Sequence, residues 1–309
     1  MKKIIKLIFS IPSEILTSLL TGYVWLLSLI STRISRLVND SVINKIDQSK
    51  MSVTLNNKEL FKIYTPNYIC NYRGETFSSK EPETIDWIDK YGGKDFVFYD
   101  VGANIGIFSL YYASKYRGKT YSFEPSAFNL RQLAKNININ NFHDHITIVP
   151  NPISNISGEA LFVNGDQTEG GALSAFGVDY GFDGMPINSD VRYGLMGFTL
   201  DKMAELGLFS DEPTLMKVDV DGIEHLILEG GKNILRSKKL KSILIEVNDN
   251  FSSQSNQVKR LLESAGFRLQ SKLQSDSVRD SISFNKTYNQ IWVKWLFDHR
   301  IQIDSLSVD

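Results

Sequence analysis

Short apolar runs alternate with segments of helical spacing through most of the chain, and the pattern is clearest around one stretch. Phe96-Val97-Phe98-Tyr99 is aromatic and β-branched, which suits a strand buried in a parallel sheet. Asp100-Val101-Gly102-Ala103-Asn104-Ile105-Gly106 follows, and Ile107 to Ser114 then carries its apolar residues at helical spacing. Strand, glycine turn and helix in that order predict the ligand-side corner of a Rossmann-like α/β unit. The alternation continues. Gly118 to Glu124 reads as a second strand stopped by Pro125, Ser126 to Asn136 as a helix, and His145 to Val149 as a third strand. Leu215 to Gly222 and Ser242 to Val247 give a fourth and a fifth, with a helix beginning at Glu224 between them. Val258 to Ala265 is a helix ended by Gly266, and Phe267 to Leu273 with Tyr288 to Leu296 form a closing strand pair.

Two segments break this rhythm. Gly158 to Val163 and Gly197 to Leu200 read as strands outside the alternation, and Asn164 to Gly194 between them is rich in Gly, Asp and Ser. A loop of that length is expected to serve as a lid over the substrate. Asp201 to Phe209 reads as a short helix. At the other end, Ser13 to about Asn39 predicts one long helix, with Ile15, Leu19, Leu20, Tyr23, Leu27 and Ile34 on one face. Three settings suit it: packing on the domain or on another subunit, lying on a membrane, or crossing one. Packing is the expected setting, since Ile15 to Ile30 is short for a span and includes Thr, Ser and Gly. No small-residue cleavage site predicts a secretory signal. Asp40 to Asn57 reads as a connector, Phe61 to Tyr64 as a short strand, and Pro82 as the start of a helix running to Gly92-Gly93. Two regions are expected: residues 1–57, amphipathic helix and connector, and residues 58–309, the catalytic domain.

Composition narrows the classes. With 34 basic against 35 acidic residues, no global basic field recruits nucleic acid, and no such partner is expected. Hydrophobic content of 42% and charged content of 22% are those of a globular protein. The single cysteine, Cys70, excludes an intrachain disulfide and a cysteine-built metal site. The expected location is the cytoplasm, or the inner face of a membrane if the N-terminal helix meets one.

The candidate chemistry sits at the ends of the predicted strands. Gly102 permits a tight turn and close approach of a ligand, and Gly106 lets helix and strand pack closely. Asn104 stands where a dinucleotide fingerprint places a glycine, so the motif suits S-adenosylmethionine better than a pyrophosphate. Asp100 is the expected partner of that ligand's ammonium, and the helix N-terminus of its carboxylate. Glu124, at the end of the second strand, is placed to accept both ribose hydroxyls. Asn151 reads either as a neighbour of the adenine or as a polar turn residue. On the fourth strand, alternation puts Lys217, Asp219 and Asp221 on one side. Buried charges there must be paired or face a crevice.

Taken together, Asp100-Val-Gly-Ala-Asn-Ile-Gly, Phe123-Glu-Pro, Thr199-Leu-Asp, Lys217-Val-Asp-Val-Asp-Gly-Ile-Glu, Leu228-Glu-Gly-Gly and Ile245-Glu resemble the FkbM family of S-adenosylmethionine-dependent methyltransferases. The resemblance covers roughly Glu81 to Lys294. It implies a seven-stranded, mostly parallel sheet with an antiparallel last strand, and O-methylation of a sugar or natural-product hydroxyl. Such a transfer aligns the acceptor oxygen with the methyl and removes its proton. Asp219 is the candidate base or orienting group, Lys217 its electrostatic partner, and Glu224 and Glu246 candidate ligands of acceptor hydroxyls. A buried ion-pair network is the competing account of the same cluster. The cofactor set is Glu83, Asp100, Gly102, Asn104, Gly106, Glu124 and Asn151. The family more often has Glu where this chain has Asp221, which leaves the role of Asp221 open. Asp219, Asp221 and Glu246 are oxygen ligands for a divalent cation, but their spacing does not require one and metal-free transfer is expected. A nicotinamide-dependent oxidoreductase would share the glycine turn and Glu124. A non-catalytic, membrane-associated scaffold would keep only the fold.

Overall fold

In a computed structural model, residues 2–274 and 286–295 are described; Leu296, the expected end of the last strand, lies outside them. The chain divides into two compact units, Met1–Ser49 and Lys50–Asp309.

The first unit is helical. Where one long helix is expected, the chain forms α1 (Lys2–Ile30) and α2 (Thr32–Asp47). The break falls at Ser31, whose backbone is extended and whose hydroxyl accepts from Ile34 N at 3.4 Å. A serine favours this capping role over a helix interior. Ser35 Oγ donates to Val24 O at 3.0 Å, so the two helices contact each other across the bend. Within α1, Ser13–Ile30 is long and apolar enough to cross a membrane by length and composition, and none of it is buried.

The second unit opens with a hairpin, β1 (Lys50–Leu55) and β2 (Lys58–Tyr64), where all of β1 was expected to be connector. Asn56 and Asn57 take φ of 52° and 63°, the left-handed pair that a two-residue hairpin turn requires. Asn67 caps α3 (Tyr68–Glu75) by accepting from Cys70 N, and α4 (Phe77–Lys80) follows. Pro82 starts α5 (Pro82–Tyr91) as expected. Next come β3 (Val97–Val101), α6 (Ile107–Tyr116), β4 (Lys119–Phe123), α7 (Ala127–Ile139) and β5 (Ile146–Val149). β6 (Gly158–Val163), β7 (Ala175–Phe176) and β8 (Arg192–Gly197) form a separate three-stranded sheet with β6 in the middle. The strand expected at Gly197 to Leu200 therefore lies earlier, because Thr199 caps α8 (Leu200–Glu205) by accepting from Lys202 N. β9 (Leu215–Val218), α9 (Glu224–Gly230), α10 (Lys232–Arg236), β10 (Ser242–Asn248), α11 (Ser252–Ser264), β11 (Phe267–Leu273) and β12 (Thr287–Lys294) complete the chain.

The main sheet has seven strands in the order β11-β12-β10-β9-β3-β4-β5. β10, β9, β3, β4 and β5 are parallel, and β12 runs antiparallel to both β10 and β11. The fold is thus the expected Rossmann-like α/β sheet with an antiparallel last strand. β3 lies between β9 and β4, so the strand order reverses there and a crevice opens beyond the carboxyl ends of β3 and β9. Alternation divides the core between the two faces. Phe98, Leu215 and Leu244 pack with Trp87 and Leu110 on one side, and Tyr99, Met216, Val218 and Ile243 with Ile227 and Val258 on the other.

Both clusters are built from residues of the second unit alone, the first of them Val53. A chain lacking residues 1–49 is therefore expected to unfold in one cooperative transition at nearly the full-length midpoint, followed by circular dichroism. A midpoint lowered by ten degrees or more, or a broad transition, would show that the helices are part of the folding unit.

Candidate active site

The crevice is built on a row of polar side chains across the sheet. Asp100 on β3 is in register with Ser122 on β4 and with Lys217 on β9. Asp100 is 1% exposed; its Oδ2 accepts from Ser109 Oγ at 2.6 Å, and Ser109 in turn lies 2.7 Å from Ser122 Oγ. Asp100 Oδ1 is buried without a hydrogen-bond partner. Asp100 is thus tied to the first turn of α6 through the Ser109 hydroxyl, and burial raises its pKa. It was expected to face a ligand's ammonium. Strand alternation turns it under α6 instead, and it lines neither cavity described below.

Lys217 is 1% exposed, and its Nζ donates to Asp219 Oδ2 at 2.5 Å and lies 5.1 Å from the Phe108 ring centre. Burial opposes the ammonium charge, but Asp219, Glu81 and Asp100 outweigh it and push the lysine pKa up. Burial likewise opposes the Asp219 carboxylate, and Lys217, Lys80 and Arg73 hold it below its ordinary value.

Beyond this row lie two cavities that share Gly102, Asn104, Ala172, Asp219 and Asp221 as walls. The smaller, about 80 Å³, runs beside Glu124, Asn129 and Asn151 between the apolar side chains of Ile153, Phe162, Phe176 and Ile223. The larger, about 310 Å³, is bounded by Arg73, Lys80, Glu81, Lys217, Asp219 and Glu246. Gly102 has φ +88°, and a Cβ there would fall 1.8 Å from Asp219 O, so only glycine fits where the β3 turn meets the end of β9. At Gly106, φ +90°, a Cβ would fall 2.5 Å from the Leu133 side chain on α7, so the close packing is against a neighbouring helix and not, as was expected, against the strand. Asn104 adopts φ +52° and offers its N–H to Glu124 Oε2 at 2.8 Å. Ser126 N donates to Glu124 Oε1 at the same distance, and the carboxyl is 5% exposed. Burial pushes its pKa up to about 7 despite those two amides. Asn151 borders the same cavity, with its Nδ2 donating to Met196 O at 3.0 Å.

A strap between β6 and β7 closes over both cavities. Gly171 O accepts from Asn104 Nδ2 and Asn129 Nδ2, Gly170 N donates to Asn129 Oδ1, and Leu173 N donates to Asp221 Oδ2 at 2.6 Å. From α3, Arg73 Nε donates to Gly170 O at 2.7 Å, and Cys70 Sγ lies 3.3 Å from Glu169 O. Part of the expected lid is thus an ordered cover, and Asp221, whose role the sequence left open, fastens it. Burial, then the neighbouring Asp219 charge, raises the Asp221 pKa to about 6.

Besides Asp100, two more expected site residues border neither of these cavities. Glu83 is buried beneath β12, where Asn289 Nδ2 donates to its Oε1 at 2.8 Å, and Glu81 borders the larger cavity instead. Glu224 accepts from Val220 N, Gly222 N and Gln254 Nε2, so its oxygens hold the turn after β9 rather than a cavity wall. Arg73, Lys80 and Asn129 were not foreseen; they come from helices that carry no motif. Among the described residues, no three His, Cys, Asp or Glu side chains are grouped to hold a metal ion.

A family model described as methyltransferase FkbM domain matches residues 100–269, more than half of the chain. The chain belongs to the FkbM methyltransferase family. The matched segment is a methyltransferase domain, and the cofactor of such a domain is S-adenosylmethionine. Among solved structures it is similar to methyltransferase FkbM from Methylobacillus flagellatus KT, with 14% identity and a TM-score of 0.43 over 65% of this chain and 44% of that one. The chain thus spans less than half the length of that relative. It is also similar to precorrin-6y C5,15-methyltransferase from Geobacter metallireducens GS-15, with 12% identity and a TM-score of 0.41 over 69% of this chain and 87% of that one. Fibrillarin from Aeropyrum pernix, solved with natively bound S-adenosyl-L-methionine, shares 11% identity at a TM-score of 0.40 over 66% and 68% of the two chains. No curated protein matches the chain.

Membership in this family sets the nicotinamide reading aside. The two cavities suit the methyltransferase cofactor in kind: a narrow apolar slot with a backbone-held carboxylate at one end, and a charged chamber with cations and carboxylates at the other.

Burial raises the Glu224 carboxyl to about 8, above its ordinary value of 4.5. The folded state then holds this proton more tightly than the unfolded chain. The stabilisation is complete below about pH 4.5 and is lost as pH rises through about 8. Asp221 and Glu124 act in the same direction over a shorter interval. Urea denaturation across this range is expected to show a shallower fall of stability with pH in Glu224→Gln than in the wild type. Parallel curves would show that Glu224 does not titrate in this way.

Proposed function

We propose that this methyltransferase transfers its methyl group to oxygen, on a hydroxyl of a sugar, glycan, glycolipid or natural product. The observation that carries the reading is the Asp219 carboxylate, held ionised by Lys217 on the wall shared by the two cavities. Bound S-adenosylmethionine supplies an electrophilic methyl on a sulfonium. The protein has to align a neutral hydroxyl with it and take up the proton. Asp219 accepts the hydroxyl's hydrogen bond and so aims an oxygen lone pair away from itself. As that oxygen gains the methyl its proton becomes strongly acidic, so a carboxylate of low pKa is a sufficient acceptor. Lys217 keeps Asp219 in its charged form and fixes its direction. Glu246 faces the same cavity with its pKa raised well above the ordinary value by burial and by the carboxylates of Asp219 and Glu81. In its protonated form it donates to a second acceptor oxygen, which suits a polyol. Glu124 holds the ribose hydroxyls, and Gly102, Asn104 and Asn151 line the path of the adenosine.

The unburied apolar stretch of α1, with Tyr23 and Trp25 exposed, supports work at the inner face of a membrane, where a glycolipid acceptor would be met.

The test begins with a methyl-transfer screen over glycans, glycolipids and peptides. On the acceptor found, Asp219→Asn is expected to lower turnover by about 100-fold or more, the scale of a lost general base. Affinity for S-adenosylhomocysteine should change little, because the amide fills the same space. Wild-type turnover in Asp219→Asn would make the residue structural. Transfer to nitrogen alone would refute the oxygen acceptor.

A further inference from the structure

The larger cavity contains a cation whose hydrogen-bonding capacity is unspent. Of the positively charged residues on its wall, Lys217 is committed to Asp219 at 2.5 Å and Lys80 to Glu81 at 3.2 Å. Arg73 reaches in from α3 with only its Nε engaged, on Gly170 O. Among the described residues its two Nη groups have no hydrogen-bond or ion-pair partner. A guanidinium in that state is a planar fork of donors matched to a carboxylate.

The geometry of the wall says which carboxylate. The Gly102–Asn104 turn borders both cavities, and Ile107 and Phe108, the first residues of α6, continue the wall of the larger one. A ligand whose adenosine occupies the narrow slot beside Glu124 passes along this turn into the charged chamber with its amino-acid arm. Glu81, Asp219 and Asp221 repel the acidic end of that arm from the rest of the chamber. We infer that Arg73 is the residue that binds the cofactor's α-carboxylate. The assignment rests on the adenosine orientation adopted above, and on a residue outside the segment that the family model matches. It gives Arg73 two contacts on one side chain: Nε on the strap, and the fork on the ligand that the strap covers. The carboxylate was expected at the N-terminus of α6 and the ammonium at Asp100; the inference moves the carboxylate to Arg73, and the fold commits Asp100 to Ser109 on α6.

Two probes separate these contacts. S-adenosylhomocysteine carries the amino-acid arm, and 5′-methylthioadenosine has the same adenosine without it. Calorimetric titration of full-length protein is expected to show Arg73→Gln binding S-adenosylhomocysteine about ten- to a hundredfold more weakly, the range of a charge-assisted hydrogen bond. Its affinity for 5′-methylthioadenosine should stay within about twofold of wild type, and Arg73→Lys should recover part of the loss. Equal weakening of both probes would overturn the assignment, because Arg73 would then act only by fastening Gly170. Unchanged binding of both would overturn it too, and would leave the adenosine site standing. A wild-type protein that binds neither probe would refute the cofactor orientation and the assignment with it.

Discussion

A lysine ammonium buried in the middle of a parallel sheet is the constraint on which the rest of the catalytic unit depends. Lys217 lies between β3 and β10, and an ammonium there would be untenable without compensation. Compensation comes from three carboxylates: Glu81 acts from the wall of the larger cavity, and the other two have different tasks. Asp100, directly across on β3, spends its hydrogen bonds on the first turn of α6 and remains enclosed. Asp219, two residues further along β9's course, takes the lysine's direct hydrogen bond and still borders the open cleft. One buried cation thus ties the helix that starts after the glycine turn to the carboxylate that borders the open cleft. A change at Lys217 would disturb both together.

The cover over the cleft is held by polar side chains that reach it from separate elements. Asn104 comes from the glycine turn, Asn129 from α7, Asp221 from the turn after β9 and Arg73 from α3. Every one of these bonds ends on the strap's backbone. Backbone groups do not depend on the strap's own side chains, so a Gly- and Ser-rich sequence can still be held in one place. Asn104 and Asp221 both adopt positive φ, which these two residue types tolerate better than most. Local strain and strap contact coincide at those positions.

Much of this was legible in the residues. The alternation of apolar runs and helical segments gave the strands of the main sheet, and the ordered motifs gave the family. Glu124, Asp219 and Glu246 lie where the ends of their strands predict, because a strand's direction and period fix where its last side chains emerge. What failed had physical causes. Asp100 was read from the motif, but its side chain goes to the face covered by α6. Glu224 was read as facing the cleft, but it is next to a turn whose amides needed an acceptor. Glu83 and Glu81 are two positions apart near the start of α5, and sequence spacing alone does not say which one looks into the cleft. Arg73 was silent because a single arginine on a short helix has no pattern. The hairpin turn at Asn56-Asn57 did have one, which the polar composition of its surroundings concealed.

The two cavities differ in a way that bears on catalysis. The slot beside Glu124 is lined by aromatic and aliphatic side chains, with its carboxylate already holding two backbone amides. Such a site favours tight, shape-determined binding of a flat apolar ring and a diol. The larger chamber concentrates the charges: burial and the Asp219 carboxylate raise the pKa of Asp221 and Glu246, while Lys217, Lys80 and Arg73 hold Asp219 down. In the proposed orientation of the cofactor, affinity and reactivity fall at opposite ends of one cleft, with Gly102 and Asp219 between them. Binding energy gained in the slot positions the reacting arm in the chamber, where the fields are strong enough to act on a proton. The turn that joins the two ends must carry no bulk, and a Cβ at Gly102 has no room beside the Asp219 carbonyl.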